Sequence, residues 1–213
     1  MKNTVEKEAY ILVYNKDFNE VYDNHLTPMD AFVYVTMKLM AGNPHFVGRL
    51  YATADSICSF SFGLGLNDVS QNFVRELRFS MKRISENGYI PYELTSNKEP
   101  LRHVYNIGAV WEKDSKAKDN WKNERYTLIP ISACKKIFSA FGLSEMMKVR
   151  VLYFYIKLTS MIFYKTGVCT YSLDTIAEKS NLNIKTVQDY IRVLETYKVV
   201  RADLFCSRMD GLT

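Results

Sequence analysis

Two parts of this chain show the same succession of local patterns, and this internal repeat restricts the possible folds more than any other feature. Tyr10–Val13 matches Tyr126–Ile129, and both segments are typical of short β-strands. Apolar helices follow, and Thr27 and Ser144 are suited to cap their first turns through a side-chain oxygen. We expect two units of the same architecture; the alternative is a chance similarity between two mixed helical segments.

The first helix of each unit is apolar over most of its surface. It runs as AFVYVTMKLM from Ala31 in the first copy and as VRVLYFYIKL from Val149 in the second. Such breadth predicts a central helix that is buried on more than one side. A second, short helix is predicted at each of two aligned segments, Thr53–Ile57 and Ser172–Ile176, which both begin with a capping residue.

A third helix is predicted in both copies from apolar residues spaced by three, four and three positions. The first copy has nine extra residues before this helix, around FGLGLNDVS, so we expect a longer or irregular turn there. Each third helix leads into a predicted strand, Gly88–Ile90 or Lys198–Val200. The stripes predicted to face the core are Val74, Leu77, Met81 and Ile84 in one copy, and Ile184, Val187, Ile191 and Leu194 in the other.

The order of elements is therefore strand, helix, strand, helix, helix, strand in each copy. This order predicts an α+β protein that is mainly helical. A charged, polar stretch, EKDSKAKDNWKNER, marks the boundary between the copies. We expect an N-terminal domain over residues 1–115, a polar linker over 116–125 and a C-terminal domain over 126–213.

The segment Tyr171–Phe205 resembles the helix-turn-helix and first wing strand of bacterial winged-helix proteins. A short helix, LDTIAEKS, is joined by the tight turn Asn181-Leu182-Asn183 to a longer helix, IKTVQDYIRVLETY. Leu182 is suited to fill the space under the turn, and Asn183 is suited to cap the longer helix. The resemblance implies two tandem winged-helix domains, each with a third helix that enters the major groove of double-stranded DNA.

With the apolar stripes inside, polar residues occupy the outer faces of both third helices. Such side chains hydrogen-bond base edges and phosphates in complexes with DNA. Arg83 is expected on the first of these faces, and Asp189 on the second as a local charge partner. The predicted DNA-binding residues are Gln71, Asn72, Arg75, Arg78 and Lys82 in the first copy, and Lys185, Thr186, Gln188 and Arg192 in the second.

A β-hairpin is predicted after Tyr89 in the first copy, where the sequence continues as IPYELTSNKEPLRHVYNIGAVW. Its turn is expected at Ser96–Pro100, and the resemblance makes this hairpin a wing. Lys98 and Arg102 are then placed to contact backbone phosphates. His103 is expected to be a surface residue without a role.

Two such domains in series resemble the replication initiators of bacterial plasmids and phages. The stretch YTLIPISACKKIF from Tyr126 is similar in particular to replication proteins of low-GC Gram-positive plasmids and phages. The resemblance implies binding to repeated origin sites, a dimer that represses transcription, a monomer that initiates replication, and host replication proteins as partners. The chain ends at Thr213, soon after the predicted first wing strand, so we expect either that the chain is a fragment of a longer protein or that its second wing is incomplete.

Composition and charge permit this interpretation without deciding it. The formal net charge of +5 suits a polyanionic partner, but many proteins without one are equally basic. Widely spaced cysteines predict reduced thiols rather than disulfides or a zinc site, and we expect no metal and no cofactor. The start of the chain lacks the apolar region of a signal peptide, so we expect a cytoplasmic protein with no membrane partner. The cysteines are Cys58, Cys134, Cys169 and Cys206.

Three classes of function compete. The first is a DNA-binding initiator, or a transcriptional regulator with the same binding mode; either is compatible with a homodimer. The second is a winged-helix module that binds protein and has no specific affinity for DNA. The third is a nuclease or relaxase, which needs clustered carboxylates or histidines near a tyrosine. The sequence has no HxH pair or acidic cluster, so we expect no enzyme, and the aromatic residues between 153 and 164 are expected in the core.

Overall fold

The computed structural model describes residues 9–18, 25–41, 49–87, 89, 92–94, 103–106, 126–163 and 166–202. Seven α-helices and two small antiparallel sheets lie in this part of the chain, which makes the protein α+β and mainly helical, as predicted. The first half contains β1 (Tyr10–Tyr14), a 3-10 helix (Asn15–Phe18), α1 (Pro28–Ala41), β2 (Arg49–Ala52), α2 (Ala54–Phe62), α3 (Gln71–Glu86), β3 (Tyr92–Leu94) and β4 (His103–Asn106). The second half contains β5 (Tyr126–Pro130), α4 (Ile131–Phe138), α5 (Glu145–Ser160), α6 (Leu173–Ser180) and α7 (Ile184–Thr196).

Helix α1 is the central helix of the first half. It begins where predicted, because the Thr27 hydroxyl accepts a hydrogen bond from the Asp30 backbone N–H (3.3 Å), and Pro28 in the first turn has no N–H to satisfy. Every residue of α1 except Pro28 and Lys38 is buried. The prediction of a helix enclosed on more than one side is confirmed.

Helix α5 has the equivalent place in the second half. The Ser144 hydroxyl caps it by accepting a hydrogen bond from the Met147 N–H (3.3 Å), as predicted. Its residues from Phe154 to Leu158 are all buried, whereas Phe163 beyond its end is 55% exposed and lies outside the expected core. Helices α1 and α5 pack against each other.

Strand β1 pairs with strand β5, so the first strand of one half joins the first strand of the other. The pairing is antiparallel and places Leu12 opposite Leu128, with Tyr10 opposite Pro130 and Tyr14 opposite Tyr126. Leu12 and Leu128 are also equivalent in the sequence repeat. Equivalent residues face each other in this way when an approximate two-fold axis relates two units. Helices α1 and α5, which contact each other, are also equivalent in the sequence repeat.

A second sheet belongs to the first half and has the strand order β2-β4-β3, with both pairs antiparallel. Leu94 is opposite His103, so β3 and β4 form the hairpin predicted after Tyr89. The predicted turn of that hairpin, Ser96–Pro100, lies outside the described residues. In the second half, described over 126–163 and 166–202, only an isolated antiparallel bridge between Phe163 and Val168 stands where a strand was predicted.

Both halves contribute to one continuous hydrophobic core. Phe32 of α1 makes an edge contact with Phe138 of α4 at 5.6 Å between ring centroids. Phe18 and Tyr153 form a second aromatic contact between the halves, at 6.0 Å. The predicted linker, residues 116–125, lies outside the described residues, and the division into two domains stays a prediction.

The strand predicted at Lys198–Val200 is wrong. Lys198 has φ 55°, a left-handed conformation that interrupts an extended chain. The Val199 N–H donates to the Leu194 carbonyl (2.8 Å), a bond that closes the end of α7 and turns the chain away. In the first half, Gly88 and Ile90 of the other predicted strand lie outside the described residues.

The predicted apolar stripe of α3 is confirmed at three of its four positions, with Phe73 buried in the place of Val74, and the stripe of α7 is corrected. Leu77, Met81 and Ile84 are buried and Val74 is half-buried, whereas Ile184 is 42% exposed although it was predicted to face inward. Seven residues turn a helix by almost two full turns, so Ile184 and Ile191 share a flank of the helix. Tyr190 takes the central place instead, and the buried stripe of α7 is Val187, Tyr190 and Leu194.

Candidate nucleic-acid interface

Helix α3 has one apolar face and one exposed polar face. The Ser70 hydroxyl starts the helix by accepting a hydrogen bond from the Phe73 N–H (3.2 Å). The apolar face packs against α1 and contains Phe73, Leu77 and Met81. The opposite face follows from the 3.6-residue period and carries all five side chains predicted to contact DNA. These exposed residues are Gln71, Asn72, Arg75, Arg78 and Lys82.

The cations on this face differ in whether a carboxylate lies close enough to form an ion pair. No carboxylate of the described residues lies within ion-pair distance of Arg75 or Arg78. The Lys82 Nζ lies 3.5 Å from a Glu86 carboxylate oxygen, and both side chains are more than half exposed. Such a surface pair contributes little to stability and leaves the ammonium group available to a phosphate. Arg75 and Arg78 are therefore the exposed arginines of α3 without a carboxylate partner among the described residues.

Arg83, predicted on the exposed face, is half-buried at its edge, and its guanidinium group is paired within the fold. Its guanidinium group donates hydrogen bonds to both carboxylate oxygens of Asp30 in α1, from Nη2 to Oδ1 at 2.8 Å and from Nε to Oδ1 and Oδ2 at 3.1 and 3.3 Å. The same carboxylate accepts a hydrogen bond from the Thr27 hydroxyl (2.7 Å). Because a bidentate pair fixes both partners, this cluster attaches the beginning of α1 to the last turn of α3.

Helices α6 and α7 form the predicted pair with a tight turn. The Asn183 side chain accepts a hydrogen bond from the Thr186 N–H (2.8 Å), so the predicted cap is confirmed. Asn181 has φ 54°, which lets the chain reverse, and the Leu182 N–H donates to the Ala177 carbonyl (3.0 Å). The corresponding connection in the first half, from Gly63 to Ser70, is longer, as the sequence predicts.

The exposed face of α7 contains three of the four residues predicted to contact DNA there. Lys185, Gln188 and Arg192 are exposed, whereas Thr186 is half-buried and points away from them into a cavity. Asp189 lies 3.5 Å from Arg192 across an exposed pair, which confirms it as a local charge partner. Lys185 and Gln188 are the least constrained polar groups on this face.

The cavity beside α7 has a volume of about 450 Å³ and is also lined by the start of α1, by α5 and by the turn after α6. Lys157 of α5 lines it and is only 6% exposed. Its Nζ donates to the Ser180 carbonyl (3.3 Å) and lies 4.8 Å from the centre of the Tyr153 ring. A cation at the carboxyl end of a helix is favourable, so Lys157 helps to position the turn that precedes α7. The sequence gives no sign of this role, because Lys157 lies inside an apolar run.

Two apolar residues on the exposed faces were also missed. Phe79 of α3 is 54% exposed and Ile184 of α7 is 42% exposed. Phe79 falls outside the stripe of Leu77 and Met81, and that spacing was the available signal. The remaining predicted contacts, Lys98 and Arg102, lie outside the described residues, and His103 lies in β4.

The described residues contain no cluster of three or more histidine, cysteine, aspartate or glutamate side chains arranged to hold a metal ion. None of the helices in this part of the chain has the length and apolar character needed to cross a bilayer. Comparison with protein-family models, with curated proteins and with solved structures finds no match to the chain.

Proposed function

We propose that the protein binds double-stranded DNA through the exposed face of α3, carried by a winged-helix unit, and through the exposed face of α7, carried by a helix-turn-helix. The order α1, β2, α2, α3 and then the hairpin β3–β4, with β4 pairing back to β2, is the order of elements in winged-helix domains. In such domains the helix before the hairpin lies in the major groove. The capped pair α6 and α7, with its short turn, supports the same role for α7.

The single observation that carries the proposal is the exposed face of α3. Arg75 and Arg78 lie one helical turn apart, are exposed, and have no carboxylate of the described residues as an ion-pair partner. Arginine presents a planar set of donors that suits phosphates and the O6 and N7 atoms of guanine. The net charge of +5 has the sign that attracts a polyanion.

Within this proposal, we infer that the biological role is initiation of plasmid or phage replication at repeated origin sites. Two groove-binding helices in one chain suit a site that extends over successive turns of the duplex. A transcriptional regulator with the same binding mode is the second candidate, favoured by the same faces. A plasmid-maintenance assay distinguishes an initiator from a regulator. An initiator supplied in trans should support replication of a plasmid that carries the selected sites, and a regulator should not.

Binding is tested by selecting fragments from a random duplex pool and then measuring fluorescence anisotropy over a series of salt concentrations. Each phosphate contact contributes a slope of about −0.9 to log K against log salt. The double variant Arg75→Ala/Arg78→Ala should reduce the slope by about 2 if both side chains contact phosphates. Lys185→Ala should weaken binding by about 1–3 kcal/mol if it contacts a base edge.

The matched control is Lys135→Ala, which removes an exposed cation from α4, outside both faces. It should leave affinity and salt slope within error of the unmodified protein. If all these variants bind the selected duplex equally well, the faces of α3 and α7 are not the interface. If no duplex is enriched over random DNA, the proposed function is wrong, and a protein-interaction module becomes the better hypothesis.

A further inference from the structure

Phe79 is an exposed aromatic side chain among the cations of α3. It follows Arg78 directly, lies four residues after Arg75 and precedes Lys82 by three. At 100° per residue these positions fall on one side of the helix, opposite Leu77 and Met81. Phe79 is 54% exposed, whereas Leu77 and Met81 are nearly inaccessible.

The position of Phe79 cannot be explained by packing within the described part of the chain. The apolar partners of α3 are on its other face, where Phe73 contacts Phe32 at 6.2 Å and Phe62 at 5.8 Å between ring centroids. An isolated exposed apolar residue is ordinary on a protein surface. Phe79 differs because it shares its face with Arg75, Arg78 and Lys82, of which Lys82 is paired with Glu86, so the net charge around the ring favours a negatively charged partner.

We propose that Phe79 contacts the 5-methyl group of a thymine in the major groove when α3 binds DNA. The inference rests on the proposed function and adds a sequence preference to it. The major groove admits an α-helix and exposes the thymine methyl group, which is the apolar feature that distinguishes thymine there. Arg75, Arg78 and Lys82 would contact guanine edges or phosphates on either side of the ring.

A second copy of the chain is a less suitable partner for this face. In a two-fold contact centred on Phe79, the cations Arg75, Arg78 and Lys82 of one molecule would lie against the same cations of the other. Like charges in contact are unfavourable, and the repulsion would increase as water left the interface. Duplex DNA supplies both the negative charge and the methyl group.

The experiment uses the full chain and its selected duplex, with each thymine replaced singly by deoxyuridine, which lacks only the 5-methyl group. At the thymine that contacts Phe79, replacement by deoxyuridine removes one buried methyl contact and should weaken binding of the unmodified protein about fourfold. Phe79→Ala should bind the thymine duplex no more tightly than the unmodified protein binds the deoxyuridine duplex. The variant should bind the thymine and deoxyuridine duplexes equally well. Phe79→Leu, which remains apolar, should retain part of the discrimination.

Phe141→Ala is the matched control, because Phe141 is 94% exposed in the turn between α4 and α5. It should behave as the unmodified protein on every duplex, and circular dichroism should show that each variant is folded. Specific binding without any deoxyuridine effect, or a deoxyuridine effect that persists in Phe79→Ala, would overturn this inference while leaving the proposed function intact. Absence of any specific binding would overturn both.

Discussion

At the scale of single residues, the Asp30 carboxylate determines how α3 is held on the fold. Asp30 is 4% exposed and accepts hydrogen bonds from Arg83 and from Thr27. We expect Asp30→Asn to destabilise the protein by about 1–2 kcal/mol, because it removes the charge that faces Arg83, and an amide nitrogen in the place of Oδ2 cannot accept the hydrogen bond from the Thr27 N–H. The expected loss of stability is small for a buried carboxylate because the Arg83 side chain is 41% exposed and part of its charge stays solvated.

Urea unfolding followed by circular dichroism measures this effect. The control is Asp189→Asn, which removes one partner of the exposed pair with Arg192 and should change stability by no more than about 0.5 kcal/mol. Equal effects of the two substitutions would mean that the Asp30–Arg83 pair contributes nothing beyond a surface ion pair.

The cysteines give a second prediction at this scale, based on burial. Burial raises the pKa of the Cys134 thiol to about 12, and burial together with nearby carboxylates raises the pKa of Cys58 to about 11. The thiolate is the reactive form, so both groups stay protonated and unreactive at pH 8. Among the three cysteines in the described part of the chain, iodoacetamide labelling read by mass spectrometry should modify the half-buried Cys169 before Cys58 and Cys134. Cys58 and Cys134 should react only in denaturant, and rapid labelling of either one in the folded protein would contradict their burial.

At the scale of elements, α7 tests the corrected apolar stripe. Val187 is inaccessible whereas Ile184, predicted to be its neighbour in the core, is 42% exposed. We expect Val187→Ala to cost about 2 kcal/mol through lost burial and the cavity left behind. Ile184→Ala should cost less than about 0.5 kcal/mol, as ordinary surface substitutions do. Urea unfolding of the two variants measures both losses of stability. Equal losses would mean that Ile184 is part of the buried stripe, as the sequence predicted.

Local features of these elements could be predicted from the sequence because their causes lie within a few residues. Ser144, Ser172 and Asn183 cap helices by bonds to an N–H three residues away. The pairing of Arg83 with Asp30 joins residues 53 positions apart, and spacing along α3 cannot reveal it. The left-handed residue Lys198 was missed because a run of lysine and valines is typical of a strand.

In the candidate site, too, only the features that depend on spacing along one helix could be predicted from the sequence. An amphipathic period determines which side of α3 is exposed, so Arg75 and Arg78 could be identified before the structure was known. Thr186 lies between the two faces of α7, where a small change of helix rotation decides burial, and it was assigned to the wrong side. The offset of Phe79 from the buried stripe also indicated exposure, but only the polar residues of the exposed face were predicted to contact DNA.

At the scale of the whole molecule, the pairing of β1 with β5 and the shared core should make the described halves unfold together. The contacts of Phe32 with Phe138 and of Phe18 with Tyr153 cross between the halves, so neither half can lose its structure without exposing the core of the other. Differential scanning calorimetry should give one transition, with the calorimetric enthalpy equal to the van't Hoff enthalpy. Two resolved transitions would show independent domains.

The approximate two-fold relation between Leu12 and Leu128 also affects how the protein depends on its own concentration. Two identical subunits that meet by such a relation separate on dilution, because their association is bimolecular. Here the partner strand is attached to the same polypeptide, so the encounter is intramolecular and its effective concentration is set by the connecting chain. The β1–β5 pairing therefore persists at any dilution, a property that separate half-length chains would lack.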